Sequence, residues 1–330
     1  MKILALNPGS SSMKRRAFEF PAAAEIDDPP RPDAIGVRVV HGGSRFTAPV
    51  RVDDAVLAGI EELAELAPLH NPRSAATIEE ARRSFPEVPI VAVFDTAFHQ
   101  TLPPAAAEYA VPRELGIRRF GFHGVSYSYL ASQVRARRHV ACHLGNGASV
   151  CAILDGRSVD TSMGFTPMEG LVMGTRAGDL DPGAILHLLR KGMGPEDLDA
   201  LLNERCGLLG VSGRSGDMRE LERAAAGGDE RAALAIEMFT RRVAKYAGAY
   251  AAVLGGLDAL TFTGGIGEHS WSVRADVCRS LAFLGVVLDE ERNRAPAAGD
   301  RCISRGAVEV RVIPANEELE IARLTFRELS

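Results

Sequence analysis

Twice along this chain a short apolar strand runs straight into a turn of glycine and serine: "ILALNPGSSSMK" (residues 3–14) and "CHLGNGASV" (142–150). This doubling constrains the fold more than any other feature. Each copy reads as a strand, a Gly/Ser tip and a returning strand, followed by helices and further strands. Such a repeat predicts two related α/β halves. A third glycine-rich tip, "LTFTGGIGEHS" (260–270), follows a long helix and a strand. Taken alone, the first tip has two readings. Asn, Pro, Gly and Ser are the usual residues of a β-turn. They also suit a phosphate cradle, in which glycine permits close backbone approach, N–H and hydroxyl groups donate to phosphate oxygens, and Lys14 adds charge. Neither a Walker loop nor a dinucleotide fingerprint is present.

Between the tips the pattern alternates. "AIGVRVVHGG" (34–43) and "VPIVAVF" (88–94) are near-continuous apolar runs, the kind buried on both faces of a parallel sheet. The spacing predicts helices over 53–67, with Asp53 or Asp54 as N-cap, over 74–85, over about 229–254 and over 316–329. In the last of these, Leu319, Ala322 and Phe326 share one side and should dock on a sheet. Residues 139–162 read as three strands joined by turns, and the Pro- and acid-rich stretch 20–33 reads as a loop. Strands alternating with helices indicate α/β.

At 330 residues the chain has room for two domains with their own cores. A net charge of −5 argues against a general nucleic-acid binder. Five cysteines, far apart and without a CxxC pair, fit a reduced cytoplasmic protein better than a disulfide frame or a zinc site. The apolar start "ILAL" is too short for a signal peptide, and no run reaches membrane length.

Ten stretches, in order from residue 2 to about 325, carry a resemblance. They are "LALNPGSSSMK", "VRVVHGG", "LAPLHNP", "VAVFDTAFHQTLP", "RRFGFHGVSY", "CHLGNGASV", "TSMGFTPMEGLVMGTRAGDLDP", "GLLGVSGRSGDMREL", "FTGGIGEHS" and "IPANEELEIAR". The chain resembles the acetate and propionate kinase family, of the superfamily of sugar kinases, heat-shock ATPases and actin. The resemblance implies an α/β fold of two ribonuclease H-like domains in the actin-like ATPase architecture, flanking a nucleotide cleft. It divides the chain into residues 1–97 with a terminal helix 317–330, and residues 98–316. It also implies reversible transfer of a phosphoryl group from ATP to a short carboxylate, acetate, giving ADP and acetyl phosphate. A magnesium or manganese ion, a homodimer formed through the second domain, and no nucleic-acid or membrane partner follow from the same likeness.

The reaction joins two anions, so cations are required at the point of transfer. Arginine suits this because its planar fork donates to carboxylate or phosphate in pairs. Arg38 and Arg176 match family positions for that task, although either could be a structural ion pair. His123 matches the histidine that donates to the transferring phosphoryl group. Asp95, which follows a buried strand, matches an orienting carboxylate and could equally cap the next turn. Asn7 and Glu317 match the metal side, and Glu317 also sits where a helix N-terminus favours negative charge. Ser10, Ser12 and Lys14, with Asn146 and Gly147, match the phosphate tips. Asp217, Met218 and Arg219 match the adenosine contact, and Gly265 and Ile266 the glycine-rich wall. Val40, Leu69, Phe122 and Pro167 match the pocket for the substrate's methyl group, with His70 and Asn71 shaping it.

The chain also departs from the family pattern. Only residues 15–33 stand where members usually carry further strands and a helix, so the first domain is expected to be shortened. Val37 stands where a histidine is usual. Val125 and Tyr127 replace Thr and His, His269 replaces Asn, and Met218 replaces an aromatic. An active enzyme remains the leading expectation because Asn7, Arg38, Asp95, His123, Arg176 and Glu317 are all present. A propionate kinase and a nucleotide-binding regulatory protein are the alternatives.

Overall fold

Strand β1 (Lys2–Pro8) turns back into β2 (Met13–Glu19), pairing antiparallel with Asn7 opposite Lys14. The computed structural model describes residues 1–9, 13–68, 70–296 and 299–330; Ser10, Ser12 and Leu69 lie outside the described residues. The chain divides into two units. The first comprises Met1–Thr101, Phe120–Gln133 and Asn316–Ser330, and the second Leu102–Arg119 and Val134–Ala315.

The first unit is built on a six-stranded sheet of order β3-β2-β1-β4-β6-β5, with β3 at Ala24–Ile26, β4 at Ala34–Val39, β5 at Val50–Arg51 and β6 at Ile90–Phe94. β1, β4 and β6 run parallel, with Leu6 against Val37 and Arg38 against Val93. Every residue of β6 is buried, as its apolar run predicts. The pleat sends successive side chains to opposite faces. Ile3 and Ala5 therefore join Val91, Val93 and the C-terminal helix in one core layer. Leu4, Ile35, Val37 and Ala92 join the helix Asn71–Ser84 in the other.

The C-terminal helix Glu317–Leu329 presses on β4 at Gly36, where a Cβ would lie 2.3 Å from Thr325 Oγ1. Ile321 and Ala322 are fully buried there, and Leu319 and Phe326 pack beside them, so the docked terminal helix is observed. Helix Asp54–Glu62 is capped by Asp53, whose carboxylate accepts from Val56 N at 2.8 Å. The next helix begins at Asn71, earlier than its apolar spacing suggests, because Pro72 is tolerated in a first turn. The stretch 20–33 is not all loop. β3 lies within it, added to β2 as an edge strand by backbone pairing that its Pro- and acid-rich composition conceals.

The second unit repeats the same plan. Its sheet has the order β11-β12-β10-β7-β8-β9, with β7 at Arg138–Leu144, β8 at Ala148–Leu154, β9 at Arg157–Thr161, β10 at Ala259–Thr263, β11 at Arg301–Cys302 and β12 at Glu309–Val312. Again three strands form an antiparallel meander and two more add in parallel, closed by a short antiparallel edge strand. The internal repeat expected from the doubled Gly/Ser tip is thus a repeat of topology. Helix Glu230–Val253 packs on β7 and β8. Among the described residues no helix is long and apolar enough to cross a membrane.

The substitutions Val37, Val125 and Tyr127 are at most 1% exposed. They act as core residues, and Val125 packs in the layer under the C-terminal helix.

Candidate active site

In an open α/β sheet, ligands bind beyond the carboxyl ends of the parallel strands. In the first unit those ends deliver Asn7 from β1, Arg38 from β4 and Asp95 just after β6. The start of the C-terminal helix adds Glu317 and Glu318. The five side chains form one network. Arg38 Nε donates to both Asp95 oxygens at 3.1 Å, and its Nη2 to Oδ2 at 2.5 Å. Arg38 Nη1 donates to Asn7 Oδ1 at 3.1 Å and lies 3.9 Å from Glu317 Oε2. Asn7 Nδ2 donates to Glu317 Oε2 at 2.9 Å and to Glu318 Oε1 at 2.8 Å.

Burial opposes charge on Arg38, but Asp95 and Glu317 outweigh it and hold the guanidinium above its ordinary value. Burial pushes the Asp95 carboxyl upward in spite of Arg38's grip, and Glu317 adds to the push. Glu318 was not expected from the sequence. Its signal was present in the second acid of "NEEL", the one that the strand ends bury more deeply.

His123 opens the helix Gly124–Gln133 with a backbone φ of 57°, a left-handed conformation uncommon outside glycine. The next residue explains how this turn meets the sheet. A Cβ on Gly124 would lie 1.9 Å from the Asp95 carbonyl oxygen, so only glycine lets the helix start against the end of β6. Phe122, just before, is buried, and its carbonyl accepts from His99 Nε2 at 2.9 Å. His41 sets its ring edge-on to Phe120 and Phe122. Asn71 clamps the His41 backbone from both sides, accepting its N–H at 3.1 Å and donating to its carbonyl at 3.0 Å. Val40 is buried beside His41. His41 and His99, which meet the Phe122 segment through ring contacts and a hydrogen bond, are not legible in the sequence as such, since each is a lone histidine near a strand end.

The second unit carries the other expected residues. A cavity of about 440 Å³ is lined by Asn146, Asp217, Met218, Arg219, Gly265 and Ile266, and also by Glu222, His269 and Ser270. That size lies within the usual range for small-molecule sites. Gly145, rather than Gly147, lines it from the β7–β8 tip. Asp217 caps the helix Met218–Ala226 through Arg219 N at 2.9 Å, and the Arg219 guanidinium holds its carboxyl down to about 2. Glu222 accepts from Ser270 Oγ at 2.5 Å and Ser272 Oγ at 2.6 Å, which fixes an acid in the wall.

Pro167 and Arg176 share the loop between β9 and the helix Pro182–Arg190. Arg119 donates to Glu169 at 2.6 Å and to the carbonyls of Thr161 and Met163 at 3.0 Å, and Tyr109 bonds the same Glu169. Asp179 accepts from Gly170 N and from the Tyr246 hydroxyl, both at 2.9 Å. Anchored in this way, the loop turns Arg176 so that Nη1 donates to the Pro167 carbonyl at 2.7 Å. Among the described residues no carboxylate pairs with Arg176. Burial lowers its pKa, unrelieved by any acid. A partly buried cation without a counter-charge is able to take an anion as its partner.

Comparison with known proteins gives consistent matches. A model of the Acetokinase family matches residues 23–323. The acetate kinase of Leifsonia xyli subsp. xyli is 53% identical over 313 residues, covering 90% of this chain and 79% of that protein. A propionate kinase of Citrobacter koseri is 51% identical over 308 residues, covering 89% and 76%. The crystal structure of Porphyromonas gingivalis acetate kinase superposes with a TM-score of 0.92 at 36% identity, covering 100% of both chains.

Proposed function

The chain belongs to the Acetokinase family, and on that premise we propose that it transfers the γ-phosphate of ATP to acetate, giving acetyl phosphate and ADP. An acetate oxygen forms the new bond to phosphorus as the bond to the β,γ-bridging oxygen breaks, and the leaving electron pair stays on ADP. The observation that carries this reading onto the chain's own residues is Arg176, a partly buried guanidinium with no acid partner among the described residues. It supplies the positive charge that two reacting anions need. Arg38 supplies a second cation, held in place by Asp95, and His123 donates to the phosphoryl oxygens. Lys14 and Asn146 serve the phosphates, and the cavity beside Met218 takes the adenosine.

The donor set fits a magnesium ion. Glu317 offers hard carboxylate oxygen in a partly buried setting, oriented by Asn7. Magnesium prefers one or two carboxylates with water and the nucleotide's own phosphate oxygens, so a single glutamate is chemically sufficient. Bound there with the nucleotide, it would offset charge on the phosphate oxygens. Glu317→Ala is expected to raise the Mg²⁺ requirement more than it changes the acetate KM. Metal titrations that match the unsubstituted enzyme would return Glu317 to a helix-terminus role.

Acyl-hydroxamate formation from purified protein, Mg-ATP and acetate tests the activity directly. Nucleotide binding without product from acetate, propionate or butyrate would favour the regulatory reading instead. The Citrobacter koseri relative, named a propionate kinase, keeps a longer substrate open. Val40 and Phe122 are nearly inaccessible, at 6% and 2% exposure, so the methyl pocket is taken to be tight. One methylene is worth only about 1–3 kcal/mol of discrimination. The expected order of kcat/KM is therefore acetate above propionate, with butyrate far lower; equal or better use of propionate would reverse the assignment.

A homodimer through the second unit is supported by the helix Pro182–Arg190, which buries no residue and leaves Leu186 and Leu189 exposed. Sedimentation as a monomer at micromolar concentration would remove it. All five cysteines are free, which fits a cytoplasmic setting.

A further inference from the structure

Two carboxylates, Glu317 and Glu318, share one Asn7 amide, while Arg38 is committed to Asp95. Like charges this close repel where water is partly excluded. Glu318, whose side chain is only 6% exposed, needs a cation of its own. That cation comes from β2. Arg16 lies on the same pleat face as Lys14, two residues on. Its Nη1 donates to Asn316 Oδ1 at 2.8 Å and lies 4.0 Å from Glu318 Oε2, while its Nε donates to Glu25 Oε1 at 2.7 Å. Asn316 occupies the N-cap position of the C-terminal helix, yet its side chain makes no capping bond because it is turned towards Arg16.

We propose that Arg16 is a positioning residue for the metal side of the site: it holds Glu318 and Asn316 through one guanidinium, fixes the Asn7 amide through Glu318, and so leaves Glu317 as the carboxylate offered to the metal–nucleotide. This rests on the reading that Glu317 meets the metal. An exposed ion pair contributes little by itself, so the Arg16–Glu25 pair at the sheet edge is not the point. What matters is that one rigid fork reaches both the buried Glu318 carboxylate and Asn316, the N-cap residue of the helix. Lysine, with a single point of charge, could not serve both in the same way. The neighbouring Arg15, on the opposite pleat face, pairs with Asp28 instead and has no route to the site.

The test compares Arg16→Gln with Glu25→Gln. Mn²⁺ binding in the presence of ADP is followed by electron paramagnetic resonance, beside the Mg²⁺ dependence of turnover. Arg16→Gln is expected to raise the half-saturating Mn²⁺ concentration about tenfold, the range seen when the partner of a metal-binding side chain is lost, with the acetate KM within about twofold. Glu25→Gln removes only the edge pair and should stay within about twofold of the unsubstituted protein. If Arg16→Gln does not fold, Arg16→Lys carries the test with an expected rise of about threefold. An unchanged Mn²⁺ titration in the folded Arg16 variant overturns the proposal, as does an equal rise in Glu25→Gln, which would make Arg16 a brace of the β2–β3 hairpin. Glu317→Ala is run in parallel. If it too leaves the titration unchanged, the metal reading of Glu317 falls and this proposal with it; if it shifts the titration and Arg16→Gln does not, only the role of Arg16 falls.

Discussion

Arg176→Ala is expected to lower kcat by about two to four orders of magnitude while leaving the protein at least as stable as before. The kinetic loss follows from removing one charge-stabilising donor at a phosphoryl-transfer site. The stability expectation follows from the structure. Burial costs this guanidinium part of its charge preference and no acid among the described residues compensates it. Its hydrogen bond goes to the Pro167 carbonyl, and the loop that carries it is anchored elsewhere, by Glu169 and Asp179. Arg176→Lys should remain poor, because an ammonium cannot reproduce the paired donors. Hydroxamate assays at saturating Mg-ATP, with melting curves beside them, check both parts. Near-normal turnover in a folded Arg176→Ala protein would remove Arg176 from the site.

Arg38→Ala should cost a similar factor in kcat, but here stability falls as well. Asp95 is almost wholly buried and Arg38 holds both its oxygens, so removing the cation strands a buried carboxylate. Breaking one side of such a pair costs about 3–5 kcal/mol. The loss should depend on pH with a definite sign. Burial already raises Asp95 in the folded protein, and without Arg38 it rises further. A carboxylate raised on folding takes up protons more readily folded than unfolded, so its penalty is full above the folded value and fades as pH falls towards the unfolded one. Denaturation of Arg38→Ala should therefore show a larger deficit near pH 8 than near pH 5. Arg38→Ala/Asp95→Ala should recover part of the stability and none of the activity. A single variant as stable as the parent at pH 8, or a double variant that regains turnover, would contradict the pairing as the basis of the site.

Much of the architecture was legible before any coordinates. The apolar run of β6, the Asp53 cap and the apolar side of the C-terminal helix each state a local rule about burial or backbone bonding, and local rules survive folding. The doubled Gly/Ser tip announced a repeat, and both sheets do share one strand order. The edge strand β3 was hidden because its stability comes from pairing with β2 rather than from its own residues. Likewise the helix Asn71–Ser84 begins earlier than its periodicity, at a proline that closes no bond of its own.

The site divides along the same line. The sequence by itself determined which residue types were available at each strand end and each glycine turn: Asn7, Arg38, Asp95, His123, Arg176 and Glu317 could all be named from motifs. Tertiary structure alone decided their partners. That Glu318 shares the Asn7 amide, that Arg16 reaches across from β2 to Asn316, that His41 stands between Asn71 and Phe122, and that Arg176 meets a carbonyl instead of an acid are facts about side chains remote in the chain. Asn7 and Glu318 are 311 residues apart. A motif records what a short segment can do alone, whereas the charge state and direction of a buried group depend on what the rest of the fold brings within a few ångströms of it.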